Sequence, residues 1–126
     1  MIVRTLEELM GSERDVAWGN GQSRRFLIEV DGLGFGLCDT LVLAGSESLL
    51  EYKNHFEACY CIQGTGEIED DKGNVWQLQP GVLYALDLHD KHRLRAITDM
   101  RLVSVFNPPL KGTERHSLTR GANSSY

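Results

Sequence analysis

From Arg25 onward the chain alternates apolar and polar positions with a period of two, interrupted by glycine-containing turns, and this pattern predicts short strands. Arg25–Val30, Phe35–Leu43, Leu49–Lys53 and Glu57–Ile62 read as the first of them. Gln63-Gly64-Thr65-Gly66 breaks the series before Glu67-Ile68-Glu69, and Asp70-Asp71-Lys72-Gly73 has the form of a hairpin turn ahead of Val75–Leu78. Pro80-Gly81 leads into Val82–Leu86, and Leu94–Ile97 and Leu102–Phe106 complete the set. Only the start of the chain carries a helix signal. Thr5 and Glu8 form a capping box, Leu6 and Leu9 supply an apolar stripe, and Gly11 is a stop. Closely spaced short strands with turns between them predict an all-β sandwich or barrel.

Composition narrows the class. A length of 126 residues suits one core and one domain, and a charged fraction of 25% against a hydrophobic fraction of 41% is the profile of a folded, water-exposed protein. The net charge of −5 argues against nucleic acid as a partner, because phosphate binding needs clustered Lys and Arg. No apolar run approaches the roughly 20 residues of a membrane-spanning helix, and the start Met-Ile-Val-Arg-Thr lacks the apolar stretch of a secretory signal. These features predict a cytoplasmic protein with no membrane association.

Cys38, Cys59 and Cys61 are an odd set without a disulfide framework. Cys59 and Cys61 project to the same side of one strand, but no second pair completes a zinc site. The expectation for all three is small buried residues. The Arg24-Arg25 pair could grip a carboxylate bidentately, although a surface role is the expected one. Glu57, Tyr84 and His92 stand out as candidate chemistry. If their strands neighbour one another, a carboxylate, a phenol and an imidazole converge inside the barrel, a donor set that suits a metal ion.

The spacing of these residues resembles the cupin superfamily. Gly45, Glu51, Lys53, Glu57 and Gly64 fall on the positions of the first cupin motif, and Gly81, Asp87, His89 and His92 on those of the second. The first-motif histidines are replaced by Glu51 and Lys53, which excludes the ordinary four-ligand cupin centre. With this departure, three longer stretches resemble the ectoine synthase family: Glu57 to Glu67, Leu86 to His92, and Val105 to His116. The likeness extends from Met1 to His116.

The resemblance implies a single cupin-type jelly-roll domain over 1–126, with a helix-bearing segment 1–24, a barrel over 25–112 and a partly flexible extension over 113–126. It implies a carbon–oxygen lyase of compatible-solute biosynthesis and osmoprotection. The reaction is closure of N4-acetyl-L-2,4-diaminobutyrate to ectoine with loss of water. It also implies ferrous iron on Glu57, Tyr84 and His92, with zinc or manganese as substitutes. By the same likeness, Thr40, Tyr52, His55, Phe106, Glu114 and His116 contact substrate, and Tyr52, Glu114 and His116 take part in catalysis. A homodimer is the implied assembly.

The chain departs from the family at several points. Gly21 follows Asn20 where a pocket tryptophan is common, and Trp18 sits three residues earlier. Ser104 stands where many members have cysteine, and the end of the tail differs. The alternatives from other classes are a non-catalytic cupin that binds a metal or small solute, and an iron-dependent oxygenase. Tyr84 in place of a second histidine argues against the oxygenase.

Overall fold

The structure is a computed structural model that describes residues 1–114. Its one α-helix, α1 (Leu6–Leu9), begins where the Thr5 hydroxyl accepts the Glu8 N–H at 3.1 Å, and Gly11, with φ 77°, follows its end. Ten strands follow: β1 (Asp15–Ala17), β2 (Gly21–Leu27), β3 (Gly36–Val42), β4 (Glu47–Leu50), β5 (Phe56–Gln63), β6 (Gly66–Asp70), β7 (Val75–Leu78), β8 (Leu83–Leu86), β9 (His92–Ala96) and β10 (Met100–Asn107). They form two antiparallel sheets, one in the order β1-β2-β3-β10-β5-β8 and the other β4-β9-β6-β7. The expected all-β jelly-roll architecture is what the chain adopts.

Period-two alternation explains the layers. Along β5, Glu57, Cys59 and Cys61 turn inward while Phe56, Tyr60 and Ile62 stay exposed. From β10, Met100, Leu102, Ser104 and Phe106 point inward, and Leu50, Ile68, Leu78, Leu94 and Ala96 face them from the second sheet. All three cysteines are free and buried, as expected of small packing residues.

Several boundaries differ from the sequence expectation. The first sheet starts at Asp15, ahead of Arg25, because β1 pairs with β2 and the Asp15 carboxylate accepts hydrogen bonds from Gln22 and Arg24. The strand expected to reach Val30 ends at Leu27. Beyond it, Asp31 accepts the Ile28 N–H and shapes a 3₁₀ turn over Glu29–Asp31. The strand expected over Leu49–Lys53 lies earlier, at Glu47–Leu50, where it pairs with β9, and β9 begins at His92 instead of Leu94. That last shift puts the histidine at the first rung of a strand, opposite Leu50 and Asp70.

Candidate metal and substrate site

Glu57 projects inward from β5, the strand beside the β8 edge of the first sheet. Its strand neighbour β8 pairs Cys59 with Tyr84 and Glu57 with Leu86, so Glu57 and Tyr84 lie diagonally across one ladder and line the same interior cavity. His92 enters from the opposite sheet. The Tyr84 and His92 ring centroids are 6.3 Å apart, and the two rings also border a second recess at the open edge between the sheets. Tyr52, just after β4, ties the group together. Its ring meets His92 edge-on at 5.3 Å, and its phenol is within hydrogen-bond reach of the Glu57 carboxylate.

His92 is set up to meet a cation, while burial acts against the charged forms of Glu57 and Tyr84. Nδ1–H of His92 donates to the Asp90 carbonyl at 2.9 Å, which leaves Nε2 as a bare lone pair, and burial lowers the pKa of the ring so that it stays neutral. Burial pushes Glu57 up to about 7, while hydrogen bonds from Cys59 and Tyr52 oppose that rise. Burial, reinforced by the ionisable groups of Cys59 and Glu57 beside it, holds Tyr84 well above a free phenol. A nearby positive charge is what would reverse both trends.

Glu57 Oε1 and His92 Nε2 are buried and find no hydrogen-bond partner among the described residues. Buried polar atoms of this kind call for an explanation, and a shared divalent ion supplies one. The residues present therefore fit a metal. No three His, Cys, Asp or Glu side chains cluster as a cage among the described residues, so a metal held here would need the Tyr84 oxygen as its third donor.

The proposed substrate contacts fall into two groups. Thr40, Tyr52 and Phe106 line the cavity that holds Glu57 and Tyr84. His55 and Glu114 form a second group beside it. His55 donates from Nδ1 to the Pro108 carbonyl at 2.6 Å, meets Phe106 edge-on at 6.0 Å, and brings Nε2 to 3.9 Å from the Glu114 carboxylate. Glu114, within the extension, is buried. Its carboxylate accepts the backbone N–H groups of Lys111, Gly112 and Thr113 at 2.7, 2.9 and 3.1 Å. Burial works to raise its pKa, yet these donors and the Arg25 charge hold it below the usual value. His116 lies outside the described residues.

Three buried features escaped the sequence reading. Arg25 is fully buried instead of lying on the surface. Its guanidinium donates to the Glu114 backbone carbonyl and, from Nε, to Ser23 Oγ at 3.2 Å. The signal was present in the alternation Gly21, Ser23, Arg25, which puts all three on the inward face. Trp18 lines the cavity that holds Glu57, and its indole N–H donates to the Leu41 carbonyl at 3.0 Å. Ser104 is the third, buried within hydrogen-bond distance of Thr40 and Cys59.

Known proteins resemble this chain over most of its length. Residues 1–125 match the family model described as ectoine synthase. The L-ectoine synthase of Oceanobacillus iheyensis is 54% identical over 117 residues, covering 92% of this chain and 91% of that protein. A crystal structure of ectoine synthase from P. lautus superposes with a TM-score of 0.86 at 54% identity, over 89% of this chain and 81% of that one. A Cupin 2 conserved barrel domain protein from Salinispora arenicola, 18% identical, gives a TM-score of 0.65 over 84% of this chain and 87% of that one, a likeness of fold alone. On sequence and architecture together, the chain belongs to the ectoine synthase family.

Proposed function

We propose that this chain closes N4-acetyl-L-2,4-diaminobutyrate to ectoine with loss of water, as a carbon–oxygen lyase, using ferrous iron on Glu57, Tyr84 and His92. The observation that carries the metal assignment is the pair of buried, unsatisfied atoms, Glu57 Oε1 and His92 Nε2, beside the Tyr84 phenol. Zinc and manganese suit the same oxygen and nitrogen donors. When bound, the ion supplies Lewis acidity that polarises the acetyl carbonyl.

In the reaction the substrate's free α-amine attacks the acetyl carbon. One C–N bond forms, and the carbonyl oxygen leaves as water after gaining two protons. The protein's part is to fold the substrate and to handle those protons. Thr40 and Tyr52 offer polar contacts inside the cavity, and Phe106 shields it from solvent. Holding the two ends of one molecule together can supply on the order of 7 kcal/mol of the barrier. Glu114, kept ionised by its backbone donors, is suited to hold the ammonium end and take its proton. His55 buttresses that carboxylate, and His116 is assigned to the same proton-handling group by its motif position. Tyr52, donating toward Glu57 and packed on His92, keeps both ligands in place.

Among the described residues no helix is long and apolar enough to cross a membrane. A cytoplasmic role in osmotic protection belongs to this reading, as does a homodimer. The homodimer is supported by the exposed apolar side chains Phe56, Tyr60, Ile62 and Leu83 on the outer face of β5 and β8. The test is anaerobic incubation of iron-loaded protein with the acetylated diamine. Ectoine formation without oxygen is expected, and its absence from folded, metal-loaded protein overturns the reading.

A further inference from the structure

Cys59 stands between two of the proposed metal ligands. On β5 it is the same-face neighbour of Glu57, and cross-strand pairing sets it opposite Tyr84 on one side and Ser104 on the other. Its sulfur is 3.5 Å from Ser104 Oγ, which is 3.0 Å from Thr40 Oγ1. The thiol is also within hydrogen-bond reach of the Glu57 carboxylate and the Tyr84 phenol. Cys59 and Ser104 are 2% and 0% exposed, so bulk water does not compete for these bonds.

The donor and acceptor capacity of each group fixes the direction of the row. A metal-ligating carboxylate or phenolate has no hydrogen to give, so the S–H of Cys59 donates to one of these two ligands, and in the row proposed here it is given to Glu57, the same-face neighbour on β5. The sulfur then has only lone pairs to offer Ser104, whose O–H donates to it. The Ser104 oxygen in turn accepts the hydroxyl hydrogen of Thr40. With that hydrogen committed to the sheet, Thr40 presents lone pairs alone to the cavity.

We propose that Cys59 is a positioning residue, completing a one-way row of hydrogen bonds from Thr40 through Ser104 and Cys59 to Glu57. The row orients the metal-binding carboxylate and makes Thr40 an acceptor for an N–H group of the substrate, its amine end. The inference rests on Glu57 being a metal ligand, and it gives the thiol a task beyond filling space.

Cys59→Val removes the thiol at similar size, and Cys59→Ser keeps a donor. Affinity for ferrous iron or zinc, measured by chelator competition, is expected to fall about 10–100-fold in Cys59→Val, the range for groups that support metal ligands. Cys59→Ser is expected to stay close to the parent. Thr40→Val should raise KM with little change in kcat in the parent, and add little when Cys59 is already Val. Thr40 and Cys59 lie on strands separated by β10, so independent sites would give additive effects. Parent-like metal affinity in Cys59→Val, or additive KM effects, overturns the proposal even if that variant is less stable. Should Cys59→Val not fold, Ser104→Ala breaks the row one bond away and is judged by the same affinity and the same additivity with Thr40→Val. A Glu57→Ala control separates the two levels. Metal retained there defeats the ligand assignment, whereas metal lost there but held normally by Cys59→Val defeats only the row.

Discussion

The two sheets of the barrel differ on both faces. The six-stranded sheet sets polar side chains among the apolar ones on its inner face, where Ser23, Thr40, Ser104, Glu57 and Tyr84 border the cavity beside Cys59, Leu102 and Phe106, and it exposes Phe56, Tyr60, Ile62, Leu83 and Val105 on its outer face. The four-stranded sheet is built differently. Its inner face is mostly apolar, through Leu50, Ile68, Leu78, Leu94 and Ala96, with His92 entering at the start of β9. Its outer face carries a lattice of charge in which Arg95 reaches Glu47, Glu67 and Glu69, and Arg93 also meets Glu47. Polar groups inside a barrel must be satisfied or bound, so a wall that carries reactive side chains gives up hydrophobic stabilisation. Here one sheet hosts the chemistry, and the other supplies packing plus a single imidazole.

The largest test of that division is His92→Ala, which removes the only proposed ligand from the four-stranded sheet. Metal content should drop, and kcat/KM should fall at least about 100-fold, because Lewis-acid assistance is worth several kcal/mol. A variant that holds metal like the parent would leave the centre to the six-stranded sheet alone. Next comes Leu78→Ala on the packing wall. Its cost should be about 2–5 kcal/mol by urea unfolding, with one metal still bound per folded molecule.

The smallest effect is expected at Asp31, which borders neither inner wall. The hydrogen bond from Arg14, and then that from Arg4, hold its carboxyl well below the usual range against an opposing contribution from burial. A group with a depressed folded-state pKa contributes stability above its unfolded value, near 3.9, and loses that contribution as pH falls further. Asp31→Asn should therefore cost about 1 kcal/mol at neutral pH. The gap to the parent should close progressively below about pH 4 in unfolding curves, with metal affinity unchanged throughout.

Much of this division was legible in the chain. The alternation in β5 announced that Glu57, Cys59 and Cys61 share a face, and the turn residues around Gly73 marked the β6–β7 hairpin, while those around Gly81 marked the end of β7. What escaped was set by contacts distant in sequence. β1 is three residues long, too short to show a period, and exists because β2 lies beside it. Arg25 looked like a surface charge because its reason for burial, the Glu114 backbone, is 89 residues away. The Thr40–Ser104 bond spans 64 residues and joins side chains that carry no distinctive spacing. His92 was legible as a motif match ahead of the expected Leu94 strand, and only pairing with Leu50 and Asp70 makes it the first rung of that strand.

Gly21 carries a lesson about which changes this barrel tolerates. A Cβ there would sit 1.8 Å from the Leu41 carbonyl oxygen and 3.0 Å from Trp18 Nε1, the two atoms that hydrogen-bond to each other. Any side chain at 21 would thus prise β2 from β3 and unseat the indole together. Divergence in the shape of this part of the cavity is closed at position 21 and open at position 18, so a library aimed at bulkier acyl groups should vary Trp18 and leave its glycine neighbour untouched.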